Sequence, residues 1–256
     1  MVATSAEKSG GVDHSHVRVV IPTYDEAENI IPLIDAVRRE LPEAQILVVD
    51  DSSPDGTADL VENRAASDAN VVVLRRAGKS GLGAAYRAGF THAIEGGASI
   101  CVQMDADFSH DPRYLPELVS AVRMGADAAI GSRYVPGGAC VNWPYLRRFL
   151  SRWGNRYAAA MLGLAVNDAT SGFRAYSSEA LQRMDFGSVV AEGYGFQVEM
   201  THRLMRANGR IVEIPIVFTD RVHGESKLSH HIIGEAFRLV TSLAWKDWRR
   251  GRRRRS

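Results

Sequence analysis

The sequence predicts an α/β domain, a mostly parallel sheet with helices on both of its faces. Three observations lead there. Short Val/Ile runs alternate with helical periodicity through the first half of the chain. The runs are apolar at consecutive positions, the pattern of strands covered on both sides. Acidic clusters stand directly after three of them, at the carboxyl ends of strands, where open α/β sheets hold ligands.

Residues 17–22 are the first run and lead into Pro22-Thr23-Tyr24-Asp25-Glu26. Residues 28–41 follow, with Ile30, Ile31, Ile34 and Val37 spaced for one helical face. A second strand is expected at 46–50, then Asp50-Asp51-Ser52-Ser53-Pro54-Asp55-Gly56-Thr57 and a helix at 57–66. Strands at 71–74, 99–104 and 128–132 and helices at 82–95 and 112–124 continue the alternation. The last of these helices is started by Asp111-Pro112.

The second half is less regular. Residues 135–144 form a Gly/Pro/Asn loop. Residues 145–164 are helical, with Leu146, Phe149, Leu150, Trp153, Tyr157 and Met161 on one stripe and Arg148, Arg152 and Arg156 beside it. A strand is expected at 211–218 and a helix at 230–248, where Ile233, Phe237, Val240, Ala244 and Trp248 share a face. With no internal repeat and no linker-like stretch, residues 17–248 are expected to be one domain. A disordered polar tail at 1–16 precedes it and a basic tail at 249–256 follows.

A content of 45% hydrophobic and 24% charged residues is that of a soluble globular protein. No run approaches the roughly 18 apolar residues that read as a membrane span, and residues 1–16 lack the apolar core of a signal peptide. Cys101 and Cys140 have no metal-type spacing, so free thiols in a reducing, cytoplasmic setting are expected. The net charge of +1 hides an asymmetry. Arg249, Arg250, Arg252, Arg253, Arg254 and Arg255 crowd the end of the chain; without these six of the 31 basic residues, 25 face 30 acidic ones, a balance of −5. Such a cluster points to an anionic partner, a lipid surface or nucleic acid; a merely solubilising tail has the same composition. The helices at 145–164 and 230–248, apolar on one side and flanked by arginine, match helices lying in a membrane interface. Core-facing helices with solvated arginines would read alike.

The sharpest chemical signal is Asp105-Ala106-Asp107, straight after the apolar run 98–104. Two carboxylates that close repel unless a divalent cation bridges them. Oxygen-only ligands suit Mg²⁺ or Mn²⁺, which leave positions open for substrate phosphates. A helix N-terminal turn leading into Asp111-Pro112 is the competing structural reading. Asp50 and Asp51, on the same rim, are candidates to bind ribose hydroxyls and base N–H groups, although residues 52–56 also fit a solvated turn and cap. Gly78-Lys79-Ser80 resembles the end of a phosphate loop, but the earlier glycine it needs falls on Val73; Gly78, Gly81 and Gly83 lack the dinucleotide spacing. Neither an NTPase nor a dehydrogenase follows. Cations come later in loops: Arg133, Arg147, and Arg221 and Lys227 in Arg221-Val222-His223-Gly224-Glu225-Ser226-Lys227. Guanidinium and ammonium groups are the usual phosphate binders. Acidic metal ligands with several loop cations suit a site that handles two phosphate-bearing molecules.

Pro22-Thr23-Tyr24-Asp25-Glu26-Ala27-Glu28-Asn29-Ile30, Val48-Val49-Asp50-Asp51-Ser52-Ser53-Pro54-Asp55-Gly56-Thr57 and Met104-Asp105-Ala106-Asp107-Phe108-Ser109-His110 resemble the inverting glycosyltransferase family 2 of GT-A, Rossmann-like fold. Gly131-Ser132-Arg133-Tyr134, Thr170-Ser171-Gly172-Phe173-Arg174, Glu192-Gly193-Tyr194-Gly195-Phe196-Gln197 and the 221–227 segment narrow the resemblance to polyprenol- and dolichol-phosphate mannose synthases. It runs from about residue 17 to 245. The resemblance implies a GDP-mannose donor, a polyprenyl phosphate acceptor and an Mg²⁺ or Mn²⁺ cofactor. By it, Pro22, Tyr24, Glu26 and Asp50 hold the nucleoside, with Asp51 and Ala106 on the donor side. Asp105 and Asp107 hold the metal, and Arg221 and Lys227 the donor phosphates. Arg133, Arg147 and Ser151 receive the acceptor phosphate. Asp105, Asp107 and Arg133 form the catalytic set. Some members carry Gln at the place of Ser109, which leaves a third metal ligand open. Many relatives append membrane helices; this chain resembles the soluble catalytic type, expected on the cytoplasmic face of a membrane, with a membrane-anchored partner subunit as a further expectation.

Two rival readings stand beside this one. A family 2 enzyme using a UDP-sugar would keep the same strand-end acids. A non-catalytic membrane or nucleic-acid adaptor would use the arginine tail; it leaves Asp105 and Asp107 unexplained, and no stacking platform for single strands is evident, so nucleic acid is not an expected partner.

Overall fold

A computed structural model describes residues 13–219 and 230–253. The chain runs β1 (Val17–Thr23), α1 (Ala27–Glu40), β2 (Gln45–Asp50), α2 (Thr57–Ala65), β3 (Val71–Arg75), α3 (Leu82–Glu95), β4 (Ile100–Gln103), α4 (Leu115–Arg123) and β5 (Ala128–Ser132). Then come β6 (Ala139–Val141), α5 (Tyr145–Leu162), β7 (Arg174–Ser177), α6 (Ser178–Arg183), α7 (Gly193–Arg206), β8 (Ile211–Pro215), β9 (Val217–Thr219) and α8 (His230–Arg253).

Seven strands form one sheet in the order β3-β2-β1-β4-β7-β5-β8. All are parallel except β7, which runs antiparallel between β4 and β5. Successive side chains of a strand point to opposite faces, and here both faces are dry. Val19, Ile21, Ile46 and Val48 pack under α1 and α4, whereas Val20, Leu47 and Val49 pack under α3 and α7. That double burial is why the strands read as continuous apolar runs. Gly89 lets α3 approach the sheet closely, since a Cβ there would run into Val20 and Val49. A third cluster joins α5 and α8 to Ile130 and Val198.

The GT-A-like, mostly parallel architecture agrees with expectation, and the differences have physical reasons. The strand at 211–218 divides at Ile216. Residues Ile211–Pro215 pair with β5, whereas Val217–Thr219 leave the main sheet to pair with β6. Strand β7 gave no apolar run, because its first residue is a fully buried arginine. Helix α7 starts on glycines and buries Gly195 through His202 without a break, so it shows no one-sided stripe. Helix α8 continues past Trp248 to Arg253, so part of the terminal arginine cluster is helical. No helix among the described residues is long and apolar enough to cross a membrane.

Candidate active site

The carboxyl ends of β1, β2 and β4 open onto one cleft of about 450 Å³. Pro22, Tyr24 and Glu26 line it from the first loop, Asp51 from the second, and Asp105, Ala106 and Asp107 from the third. Non-glycine residues with left-handed backbone mark the same three loops: Asp25, Ser52 and Phe108, at φ of 60°, 59° and 57°. Strained backbone of this kind persists where surrounding structure fixes it. The Asp25 N–H donates to Ser53 Oγ (3.2 Å) and the Glu26 N–H to Thr57 Oγ1 (3.1 Å), tying the first loop to the second.

Asp105 is held from three sides. Tyr86 Oη donates to its Oδ1 at 2.8 Å. Its backbone N–H donates to His110 Nδ1 at 3.3 Å. Gly172 lies so close that a Cβ there would stand 3.3 Å from Oδ2. His110 is stacked on Phe173 with ring centroids 5.0 Å apart; burial pushes its pKa below the usual value, which favours the uncharged ring that an accepting Nδ1 requires. Asp107 is 6% exposed and its Oδ1 accepts from the Ser109 N–H at 3.0 Å. Two carboxylates on one rim, with room kept by a glycine, are an oxygen donor set that fits a hard divalent cation. No cluster of three or more acidic, His or Cys ligands occurs among the described residues.

A second cavity of about 430 Å³ lies between α5 and α8, walled by Leu146, Leu150, Trp153, Tyr157, Phe237 and Val240. Tyr157 stacks on Phe237 (4.8 Å) and on Trp153 (5.6 Å), joining the two helices. At its head stand Arg133, Arg147 and Ser151. Arg133 is nearly buried and grips Asp168 with two hydrogen bonds, Nε to Oδ2 at 2.7 Å and Nη2 to Oδ1 at 2.6 Å, and its Nη2 also reaches Thr170. Burial alone would raise the Asp168 pKa, but the paired guanidinium outweighs it and holds the carboxyl below its usual range. Both arginines lie against Trp143, Arg147 at 4.0 Å and Arg133 at 5.5 Å from its ring centroid. Ser151 Oγ accepts from Tyr134 Oη at 2.7 Å. Thr170 and Tyr194 line both cavities, so the acidic cleft and the apolar one meet there.

The expected residues therefore fall into two groups on adjoining cavities. Asp50 belongs to neither lining: it is fully buried and both carboxylate oxygens accept from the Ser53 N–H, so it shapes the turn that presents Asp51. Asp51 in turn accepts from Arg76 Nη1 at 2.6 Å. Arg221 and Lys227 lie outside the described residues. Two charged lining residues were not among the expected ones. Lys79 stands over the Tyr24 ring at 3.6 Å, and Glu192 accepts from the Gly83 N–H at 2.6 Å. The signal for both was present, in the glycine-rich segment after β3 and in the Glu192–Gln197 motif, but neither fits a phosphate-loop spacing.

Comparison with known proteins agrees with this geometry. Residues 18–185 match the family described as Glycosyl transferase family 2. The undecaprenyl-phosphate mannosyltransferase of Micrococcus luteus is 50% identical over 225 residues, covering 88% of this chain and 92% of that protein. The polyprenol monophosphomannose synthase of Mycolicibacterium smegmatis is 46% identical over 237 residues, covering 90% and 89%. Among solved structures, glucosyl-3-phosphoglycerate synthase from Mycobacterium tuberculosis, in complex with Mn²⁺, uridine-diphosphate and phosphoglyceric acid, superposes with a TM-score of 0.65 at 21% identity. The match covers 89% of this chain and 78% of that one; it is a likeness of fold. By the span of the family match and the identity of relatives along most of its length, the chain is an enzyme of glycosyl transferase family 2.

Proposed function

We propose that this enzyme transfers mannose from GDP-mannose to a polyprenyl monophosphate, in a single displacement that inverts the anomeric carbon. The observation that carries the reading is the meeting of two unlike cavities. One is lined by Asp105 and Asp107, the other is apolar and headed by Arg133, Arg147 and Ser151, and they share Thr170 and Tyr194. A nucleoside diphosphate sugar suits the first, an isoprenoid with a phosphate head suits the second, and the transferred sugar sits at their junction. The names of the Micrococcus and Mycolicibacterium relatives support the same pairing of mannose with a polyprenyl phosphate.

The acceptor needs no general base. A phosphate monoester has a second pKa of roughly 6 and is mostly a dianion at neutral pH. The protein's contribution is alignment and charge stabilisation. Pro22, Tyr24, Glu26 and Asp51 hold the nucleoside, Asp50 fixes their turn, and Arg221 and Lys227 take the donor phosphates. Asp105 and Asp107 would hold Mg²⁺ or Mn²⁺, a cation that would supply positive charge to offset the negative charge of a departing diphosphate. Arg133, oriented by Asp168, and Arg147, lying on Trp143, aim the acceptor phosphate at the far face of the sugar.

The exposed faces of α5 and α8 support a peripheral position on an anionic cytoplasmic leaflet. Tyr145, Leu146, Phe149 and Trp153 are exposed on one, Phe237, Trp245 and Trp248 on the other, with the arginine cluster beyond. A membrane-anchored partner subunit would use the same face. Incubation with GDP-mannose, UDP-glucose and a short polyprenyl phosphate, with and without EDTA, tests the function. The expected product is a β-linked mannosyl phosphate lipid, made from GDP-mannose in metal-replete samples alone. A glucosyl lipid, or no lipid product, overturns the reading.

A further inference from the structure

Gln197 lies one helical turn beyond Tyr194 on α7 and is 2% exposed. It lines the acidic cleft together with Asp105, Asp107, Thr170 and Gly172. Its backbone carbonyl is committed, accepting from Arg174 Nη1 at 3.2 Å and from Thr201 Oγ1 at 2.9 Å, so the backbone at this point is fixed. Its carboxamide is not committed: Oε1 is buried and has no hydrogen-bond partner among the described residues. Burying an amide without a partner is costly, and such groups in a folded protein call for an explanation. A bound ligand supplies one.

The neighbours narrow the ligand to the sugar. Tyr194 and Thr170 line both cavities, so this face of α7 looks on the junction where the transferred group sits. Two neighbouring polar groups are engaged: Glu192 Oε2 with the Gly83 N–H, and Thr170 Oγ1 with Arg133 Nη2 and Asn155 Nδ2. We infer that the Gln197 carboxamide hydrogen-bonds hydroxyl groups of the transferred sugar and determines sugar specificity. The inference rests on the donor reading above. A carboxamide both donates and accepts, as a sugar hydroxyl does, and it adds no charge beside the diphosphate. A site built to hydrogen-bond a hydroxyl discriminates strongly against analogues lacking it, because its own buried polar group is then left unpaired.

The test compares sugar and nucleotide on the full chain. GDP and GDP-mannose are titrated with Mn²⁺ into the wild type, Gln197→Leu and Gln197→Asn, and kcat/KM is measured with GDP-mannose and with a series of monodeoxymannose donors. GDP should bind all three proteins alike. Gln197→Leu should lower kcat/KM for GDP-mannose by roughly 10- to 100-fold, the loss from one buried hydrogen bond. One deoxy donor, poor for the wild type, should be as good as GDP-mannose for Gln197→Leu. Gln197→Asn, which keeps a neutral carboxamide on a shorter stem, should lose less. Equal losses for GDP and GDP-mannose would assign Gln197 a structural role and overturn the inference. So would a flat deoxy series with the wild type, a measurement that needs no variant. A folded wild type that binds no GDP-mannose overturns the donor reading and the inference with it; one that binds normally, with variants that match it, overturns the inference alone.

Discussion

Tyr86 Oη donates a 2.8 Å hydrogen bond to Asp105 Oδ1, so a helix on one face of the sheet fixes a carboxylate on its rim. The phenol stacks between Phe90 and Phe196. Burial first, and then the charge of Asp105, lifts its pKa well above the ordinary value, which keeps the donating proton in place. Tyr86→Phe preserves the ring and deletes the donor. Groups that orient metal ligands typically contribute 10- to 100-fold to metal affinity or activity. The Mn²⁺ concentration for half-maximal activity should therefore rise by about 10- to 100-fold with little change in Tm. An unchanged metal titration would separate Tyr86 from the site.

Asp107→Asn isolates charge from shape. The Asn oxygen still accepts from the Ser109 N–H, as Oδ1 does now at 3.0 Å, so the loop should keep its form. The negative charge is gone. Turnover should fall by roughly 10²-fold or more, with an unchanged circular dichroism spectrum. Retained turnover, in the presence of EDTA as in its absence, would remove the cation from the mechanism.

The residues that were legible in the sequence are those whose roles are local. Strands β1 to β5 announce themselves because Val and Ile fill both dry faces, and Asp105 and Asp107 follow one of them directly. Arg174 was illegible as a strand residue for the opposite reason. It is fully buried because its guanidinium donates to Ser171 O, Ala169 O, Gln197 O, Tyr176 Oη and Thr201 Oγ1. Those partners gather only after β7, α7 and the loop before them have met. Glu192 shows the same distance effect, since its bond to Gly83 spans 109 positions. The segment from Gly78 to Gly83 fails every phosphate-loop spacing, yet Gly83 belongs there because a side chain would strike Ala191 O at 2.7 Å.

The Arg133–Asp168 pair should govern acid stability. Its side chains are 4% and 0% exposed, and removing one partner of a buried pair leaves an uncompensated charge, at about 3–5 kcal/mol. Asp168→Asn should lower the unfolding free energy by about that amount at pH 7. The folded pKa of Asp168 is depressed, so its stabilisation is complete above the ordinary value of 3.8 and is lost as pH falls through the folded value. Urea unfolding from pH 7 to 3 should show the gap between wild type and variant constant at first and narrowing below about pH 4. A gap that widens on acidification would contradict the pairing. Replacing both residues by leucine should restore much of the stability without restoring activity.

Truncation after Trp248 tests the membrane face. It removes six arginines, changing the net charge from +1 to −5, and leaves the exposed aromatic side chains Trp245 and Trp248 in place. Each basic residue near an anionic surface contributes about 1 kcal/mol, and the attraction decays within a Debye length of about 8 Å at 0.15 M salt. The truncated enzyme should lose most of its binding to phosphatidylserine-containing liposomes at low salt. Wild type and truncated forms should converge at high salt, where only the apolar contact remains. Turnover of a short, water-soluble polyprenyl phosphate should be unchanged, because the cavity-wall residues of α8, Phe237 and Val240, are kept. Wild-type liposome binding that is insensitive to salt would refute an electrostatic role for the cluster.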